Sequence, residues 1–234
     1  MTSLRQVADT TSLTLCKVAL CMALPFQRWI TPVHSTHSFI NSQAINILRA
    51  DGHTRWAGLA EKYFDLWNTG TYCADHHYRN TTHHFNLKTG RGLWRWPSAV
   101  DVIGGFWDEA LSAWRSGHQG RAFFWLGAVV HLVQDLCEPH HARATVLHGH
   151  RRFERWAAAN KDVYVLPQGG IYDLGNRPEE WAVANAGVAW EMFPLVTDSS
   201  NLEDYSSATG ILLPRAQATT AGLVGRFLAV AEGT

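Results

Sequence analysis

RAFFWLGAVVHLVQDLCEPHHA, residues 121–142, is the stretch that decides how this chain folds. Arg121–Leu136 is strongly apolar and Pro139 stops it, so it reads as a buried helix. His131 and Asp135 stand inside it. Four residues apart, they project from one helix face. A buried imidazole and a buried carboxylate need partners, and a metal ion supplies them. Both donor types suit zinc. Past the turn at Pro139, His140 or His141 follows at once. HGHRRFE, residues 148–154, repeats the device, with His150 and Glu154 again four apart. Two His-carboxylate pairs so close together are far harder to reach by chance than one.

Outward from this stretch the chain reads as helices joined by polar or Gly/Pro loops. Apolar spacing predicts helices over 37–50, 53–68, 99–116, 149–163, 178–193 and 209–231. Asn68-Thr69-Gly70 is expected to stop the second, and Ser98 to cap the third. Residues 71–97 read as a long loop, and a second long loop is bracketed by Pro167–Gly170 and Gly175–Pro178. Period-2 alternation is scarce. The expectation is all-α: a single compact multi-helix domain over 29–234.

Composition narrows the chemistry. Of 234 residues, 46% are apolar, enough for a packed core. Lys+Arg and Asp+Glu are 20 each, which argues against binding nucleic acid by bulk charge. Four Cys without a CxxC pair exclude both a disulfide scaffold and a thiolate zinc site. Thirteen His point to transition-metal chemistry, subject to their spacing. There is no G-x-S-x-G elbow, Walker A loop or G-x-G-x-x-G.

Residues 1–28 read differently. Arg5 lies in a polar opening, and LTLCKVALCMALPF follows over 13–26, the pattern of a secretory leader interrupted by Lys17. No run is long and apolar enough to span a membrane. The expected location is extracellular. Further ligand candidates are Asp75 in GTYCADHHYRN, His83 and His84 in TTHHF, and His34 and His37 just before the first helix. Cys73 and Cys137 each lie two residues from a candidate Asp; a bond between them and two separate buried thiols are both open.

On these residues the chain resembles the bacterial zinc-dependent phospholipases C, over about 29–232. AFFWLGAVVHLVQDLCEPHHARAT followed by HGHRRFE is similar to that family's H-x3-D-x5-H and H-x3-E motifs. This register selects His141 over His140 and His150 over His148. GTYCAD resembles the loop carrying the family's Asp, here Asp75. THHF places the loop His at His84, and THSFINSQAINIL places the first-helix ligand at His37. RPEEWAVANAGVA and RAQATTAGLVGRFL resemble the last two helices. Arg28-Trp29 resembles the leader junction, which makes Trp29 the mature first residue.

The resemblance implies the fold of the zinc-dependent phospholipase C and nuclease type, and three zinc ions. One would take His84, His131 and Asp135; a second His141, His150 and Glu154. The third would take the Trp29 α-amine and carbonyl oxygen, His37 and Asp135 as a bridge. Asp75 would be general base or a further ligand. The implied reaction is hydrolysis of the glycerol-side phosphodiester of a phosphatidylcholine-like lipid by hydroxide the metals activate, giving diacylglycerol and a phosphorylated head group. The implied partners are the phospholipid and a transient membrane surface, with no stable nucleic-acid partner and a monomeric chain.

Three departures bear on the head group. The span from Asp75 to His84 is short, no acid stands among Ile30, Thr31, Pro32 and Val33 after Trp29, and His76 stands where the family has Tyr. Tyr72, Tyr78, Phe85 and Trp94 are the aromatic candidates for a quaternary ammonium. Two other readings stand beside this one. A single-strand-specific zinc nuclease of the same fold usually ends its second pair in H-x3-D, whereas Glu154 stands here. A non-catalytic zinc-binding protein would be expected to have closed, Cys-rich sites.

Overall fold

The computed structural model describes residues 36–75 and 79–233. The leader-like segment 1–28, Trp29, His34 and the stretch 76–78 lie outside them, and Asp75 is described by its backbone only. Among the described residues there are nine α-helices and no strand: α1 (Thr36–Ala50), α2 (Thr54–Lys62), α3 (Phe64–Asp75), α4 (Ala99–Arg115), α5 (Gln119–Asp135), α6 (Pro139–Ala142), α7 (His150–Asn160), α8 (Pro178–Met192) and α9 (Leu202–Glu232). The all-α expectation holds. None of these helices is long and apolar enough to cross a membrane.

α5 is the axis of the fold. Every residue from Ala122 to Asp135 is buried. α3 and α4 lie most extensively against it, while α1 pairs with α9. Four tryptophans, Trp67, Trp107, Trp125 and Trp181, are fully buried around it. Removing ~150–250 Å² of indole from water stabilises the fold by ~4–6 kcal/mol per residue, at ~25 cal/mol per Å². α4 opens where its sequence says it should: the Ser98 side chain accepts from Asp101 N–H, and Asp101 accepts from Ser98 N–H.

Three boundaries differ from expectation. The segment 53–68 is not one helix: it breaks at Tyr63, and α3 continues through Asn68-Thr69-Gly70 to Asp75. Gly70 is there for contact rather than termination. A Cβ on Gly70 would overlap the Phe124 carbonyl, and one on Gly127 would overlap the Trp67 carbonyl. The α3 and α5 backbones therefore touch at two bare positions. The last helix starts at Leu202 rather than 209, because Asn201 accepts from Glu203 and Asp204 N–H and Asp204 closes a capping box. α5 stops at Asp135, before Pro139, and Pro139 serves as the first residue of α6.

Candidate metal centre

His131 and Asp135 lie one turn apart at the C-terminal end of α5, with His131 Nε2 3.2 Å from Asp135 Oδ2. Around that carboxylate stand three more imidazoles. His37 Nε2 of α1 is 3.4 Å from Oδ1. His83 Nδ1 is 2.8 Å and His141 Nδ1 3.7 Å from Oδ2. Asp135 is thus the hub on which α1, α5, α6 and the loop after α3 converge. A second cluster adjoins it. His150 Nε2, at the start of α7, lies 3.1 Å from Glu154 Oε1 and 3.5 Å from Glu138 Oε2. His141 Nε2 lies 3.9 Å from Glu154 Oε1.

Hydrogen bonding orients these rings. Gln134 donates its amide to Asn41 Oδ1 (2.9 Å) and Thr220 Oγ1 (3.0 Å), so its oxygen is left to accept from His37 Nδ1 at 2.8 Å. A neutral His37 then turns the lone pair of Nε2 toward Asp135. The Ala74 carbonyl can only accept, so His83 Nε2 donates to it at 3.1 Å. A neutral His83 therefore directs the lone pair of Nδ1 at Asp135 Oδ2 and at His131 Nε2, which is 3.2 Å away. His141 Nδ1 likewise donates to the His83 carbonyl at 3.3 Å, leaving Nε2 for the second cluster.

Burial and charge set the protonation states. Burial opposes ionisation of Asp135, yet His131, His141 and His83 around it hold its carboxyl well below the usual carboxylate range. Burial drives His131 and His84 down to about 4 against the pull of Asp135. The same burial takes His141 well below the usual imidazole range. His150 differs: burial lowers it, but its contact with Glu154 and the charge of Glu138 carry it upward. Burial also pushes the Cys137 thiol up to about 12, so it is inert at neutral pH. Cys137 and Cys73 are both buried as thiols, which answers the disulfide question.

The donor set fits a metal. His37, His131 and Asp135 bring ligand atoms within 4.8 Å of one another, as do Glu138, His141 and His150. Asp135 Oδ2, His131 Nδ1, His84 Nδ1 and His150 Nε2 are buried with no properly angled hydrogen bond. Lone pairs and anionic oxygens that converge on one another repel unless a proton or a cation lies between them. The donors are all nitrogen and oxygen, which suits zinc with room for an exchangeable position.

Every expected site residue within the described side chains lies in or beside these two clusters. His84 stacks on His141 with ring centroids 4.5 Å apart, rather than facing Asp135. Asp75 ends α3 next to Ala74, whose carbonyl accepts from His83; Trp29 lies outside the described residues. Sequence reasoning missed two participants and ranked a third behind its neighbour. His83 is a ligand candidate in TTHHF that the family register passes over for His84, yet its Nδ1 is 2.8 Å from Asp135 Oδ2. Glu138 caps α6 by accepting from His141 N–H at 2.9 Å, and its other oxygen accepts from His140 Nδ1 at 2.7 Å. An acid followed by Pro at a helix start was the available signal for it. Gln134 left no signal, because its partners are distant in sequence. The centre opens into a cavity of 380 Å³, with Ile40, Phe153, Leu212, Leu213 and Ala216 as its apolar wall and Asp135, Glu138 and Glu154 at its polar end.

Comparison with known proteins follows the same lines. A family model described as zinc dependent phospholipase C matches residues 36–193. Phospholipase C of Bacillus cereus is 26% identical over 189 residues, 73% of this chain and 66% of that protein. The alpha-toxin of Clostridium absonum superposes with a TM-score of 0.75 at 24% identity, over 85% of this chain and 64% of that one. Clostridium perfringens alpha-toxin does so with 0.72 at 21%, over 86% and 65%. The chain therefore spans just under two thirds of the length of the relatives it matches.

Proposed function

Since the chain belongs to the zinc-dependent phospholipase C family, we propose that it hydrolyses the glycerol-side phosphodiester of a phosphatidylcholine-like phospholipid, releasing diacylglycerol and the phosphorylated head group. The observation that carries this reading is the pair of three-residue ligand groups meeting across Asp135 and His141 at the polar end of an apolar cavity. Zinc bound there would lower the pKa of water and neutralise phosphate charge.

The chain's own residues would divide the remaining work. Asp135, kept ionised by its imidazoles, would bridge two sites. His37 and His131 would complete one side, with His83 or His84 from the loop; His141, His150, Glu154 and Glu138 would form the other. Gln134 would hold His37 in the tautomer whose lone pair faces inward. Asp75 would take the proton of the attacking water. The wall of Ile40, Phe153 and Leu213 would receive the glycerol end of the lipid and keep bulk water from the phosphate. A third zinc would use His37, Asp135 and the free amine of Trp29, and so would depend on leader cleavage and export.

Incubating the zinc-loaded mature chain with phosphatidylcholine and identifying both products tests this. Diacylglycerol with phosphocholine is the expected pair. No release from any common phospholipid would overturn it, and faster cleavage of single-stranded DNA than of lipid would make the chain a nuclease.

A further inference from the structure

While four tryptophans fill the core, two do the opposite. Trp94 is 75% exposed and Trp96 55% exposed, side by side with Arg95 in the loop GLWRWP, residues 92–97. Leu93, 6% exposed, pins the loop from beneath. Trp94 holds a left-handed backbone, φ 52°, which a bulky residue rarely adopts. The segment from His84 to Ser98 carries Lys88, Arg91 and Arg95 and no acid, in a chain whose net charge is zero.

This loop is rooted in the metal centre. Phe85 N–H donates to the His141 carbonyl (2.9 Å), Leu87 N–H to the Ala142 carbonyl (3.3 Å), and Ala99 N–H to the His84 carbonyl (3.1 Å). A second loop leaves the same short helix α6 and exposes Val146 (42%) and Leu147 (67%). Among the described residues the left-handed non-glycine positions are Trp94, Ala144 and His148, all in these two loops. Strained backbone, exposed apolar side chains and cations with no acid in their own segment thus coincide beside one site.

We propose that Trp94, Arg95 and Trp96, together with Val146 and Leu147, dock the chain on the surface of a bilayer containing anionic phospholipid. Indoles settle at the level of lipid head groups, where ring and N–H are both satisfied. Arg95 and Arg91 meet the negative surface. Val146 and Leu147 favour a lipid over a single-stranded nucleic acid, because aliphatic side chains add nothing to base stacking but partition toward acyl chains. Docking here would set the metal centre at the lipid–water boundary. Its purpose rests on the phospholipase reading; its test does not.

Co-sedimentation of the full chain with vesicles measures docking without catalysis. Vesicles of phosphatidylcholine alone and of phosphatidylcholine mixed equally with phosphatidylglycerol supply the two surfaces. The unmodified chain should bind the mixed vesicles more tightly. Trp94→Gly with Trp96→Ser should weaken partitioning roughly tenfold or more. Gly suits the left-handed position, so the fold is kept; zinc content and melting temperature check this. Arg95→Gln should cost about fivefold on the anionic vesicles alone. In the unmodified chain, acyl-brominated phospholipid should quench tryptophan fluorescence. Turnover of a monomeric short-chain lipid should be unchanged in Trp96→Ser alone while its turnover of vesicles falls.

Absence of vesicle binding by the unmodified chain, binding without quenching, or equal binding by the double variant would overturn the proposal. So would loss of self-association or of single-stranded DNA binding in that variant with vesicle binding intact. Vesicle binding without lipid hydrolysis would leave docking standing and remove the phospholipase reading instead.

Discussion

Replacing Gln134 with Leu removes three hydrogen bonds at once: a half-buried one to His37 (2.8 Å) and buried ones to Asn41 (2.9 Å) and Thr220 (3.0 Å). At about 1 kcal/mol net for each, the apo fold should lose about 3 kcal/mol. The more telling effect is on zinc. Without Gln134 Oε1, nothing in this network fixes the proton of His37 on Nδ1, and the ring is free to present the wrong nitrogen to Asp135. Loss of such a supporting hydrogen bond typically weakens metal binding by about 10–100-fold. Chelator competition on folded protein, well below its melting temperature, reads the affinity; urea unfolding of the apo protein reads the stability. The two are separable in a double-mutant cycle with His37→Ala. If Gln134 acts through His37, its replacement should cost no further zinc affinity once His37 is gone. Equal zinc affinity in Gln134→Leu and the unmodified chain, or an undiminished loss in the His37→Ala background, would refute the orienting role and leave a structural one.

Removing His83 should lower zinc content, because its Nδ1 stands 2.8 Å from Asp135 Oδ2; metal analysis showing full zinc in His83→Ala but not in His84→Ala would assign the loop role to His84 alone. Gly127→Ala forces a methyl against the Trp67 carbonyl and should destabilise the fold by ~3 kcal/mol in urea unfolding. A loss below ~1 kcal/mol would show that α3 and α5 can separate more readily than their packing indicates. Asp51 is held below the ordinary carboxylate range, despite partial burial, by N–H groups of Gly169 and Gly170 and the Tyr172 hydroxyl. Its depressed folded pKa contributes stability above the unfolded value that is lost as pH falls through the folded one. Asp51→Asn should therefore cost about 1 kcal/mol at neutral pH, and the gap to the unmodified chain should shrink below pH ~4. A gap that does not change with pH would contradict this.

The part of the centre that could be read beforehand is the part written along single helices. His131 with Asp135 and His150 with Glu154 are neighbours by helical geometry alone, so four-residue spacing reveals them. That Asp135 needs partners could also be read, since an acid inside a continuously apolar helix cannot stay unpaired; its place as a bridge came from the family resemblance alone. What stayed hidden depends on elements far apart in sequence. Gln134 gains its meaning from Asn41 on α1 and Thr220 on α9. Glu138 looks like a turn residue until its carboxylate is seen capping α6 against His141. Gly70 has the local look of a helix stop, and only the Phe124 carbonyl shows it as a contact. Trp96 reads like any other aromatic, and Trp94 like a head-group candidate, until exposure separates both from the four tryptophans in the core.

Hydrolysis titrated against zinc, on chain stripped by chelator and reloaded stepwise, bears most directly on the central claim. Release of phosphorylated head group should be absent from the stripped protein and return with zinc. It should stay absent in Asp135→Asn at every zinc concentration. Release from the stripped protein, or full zinc occupancy with no release from any phospholipid, would contradict a zinc-dependent phospholipase C built around Asp135.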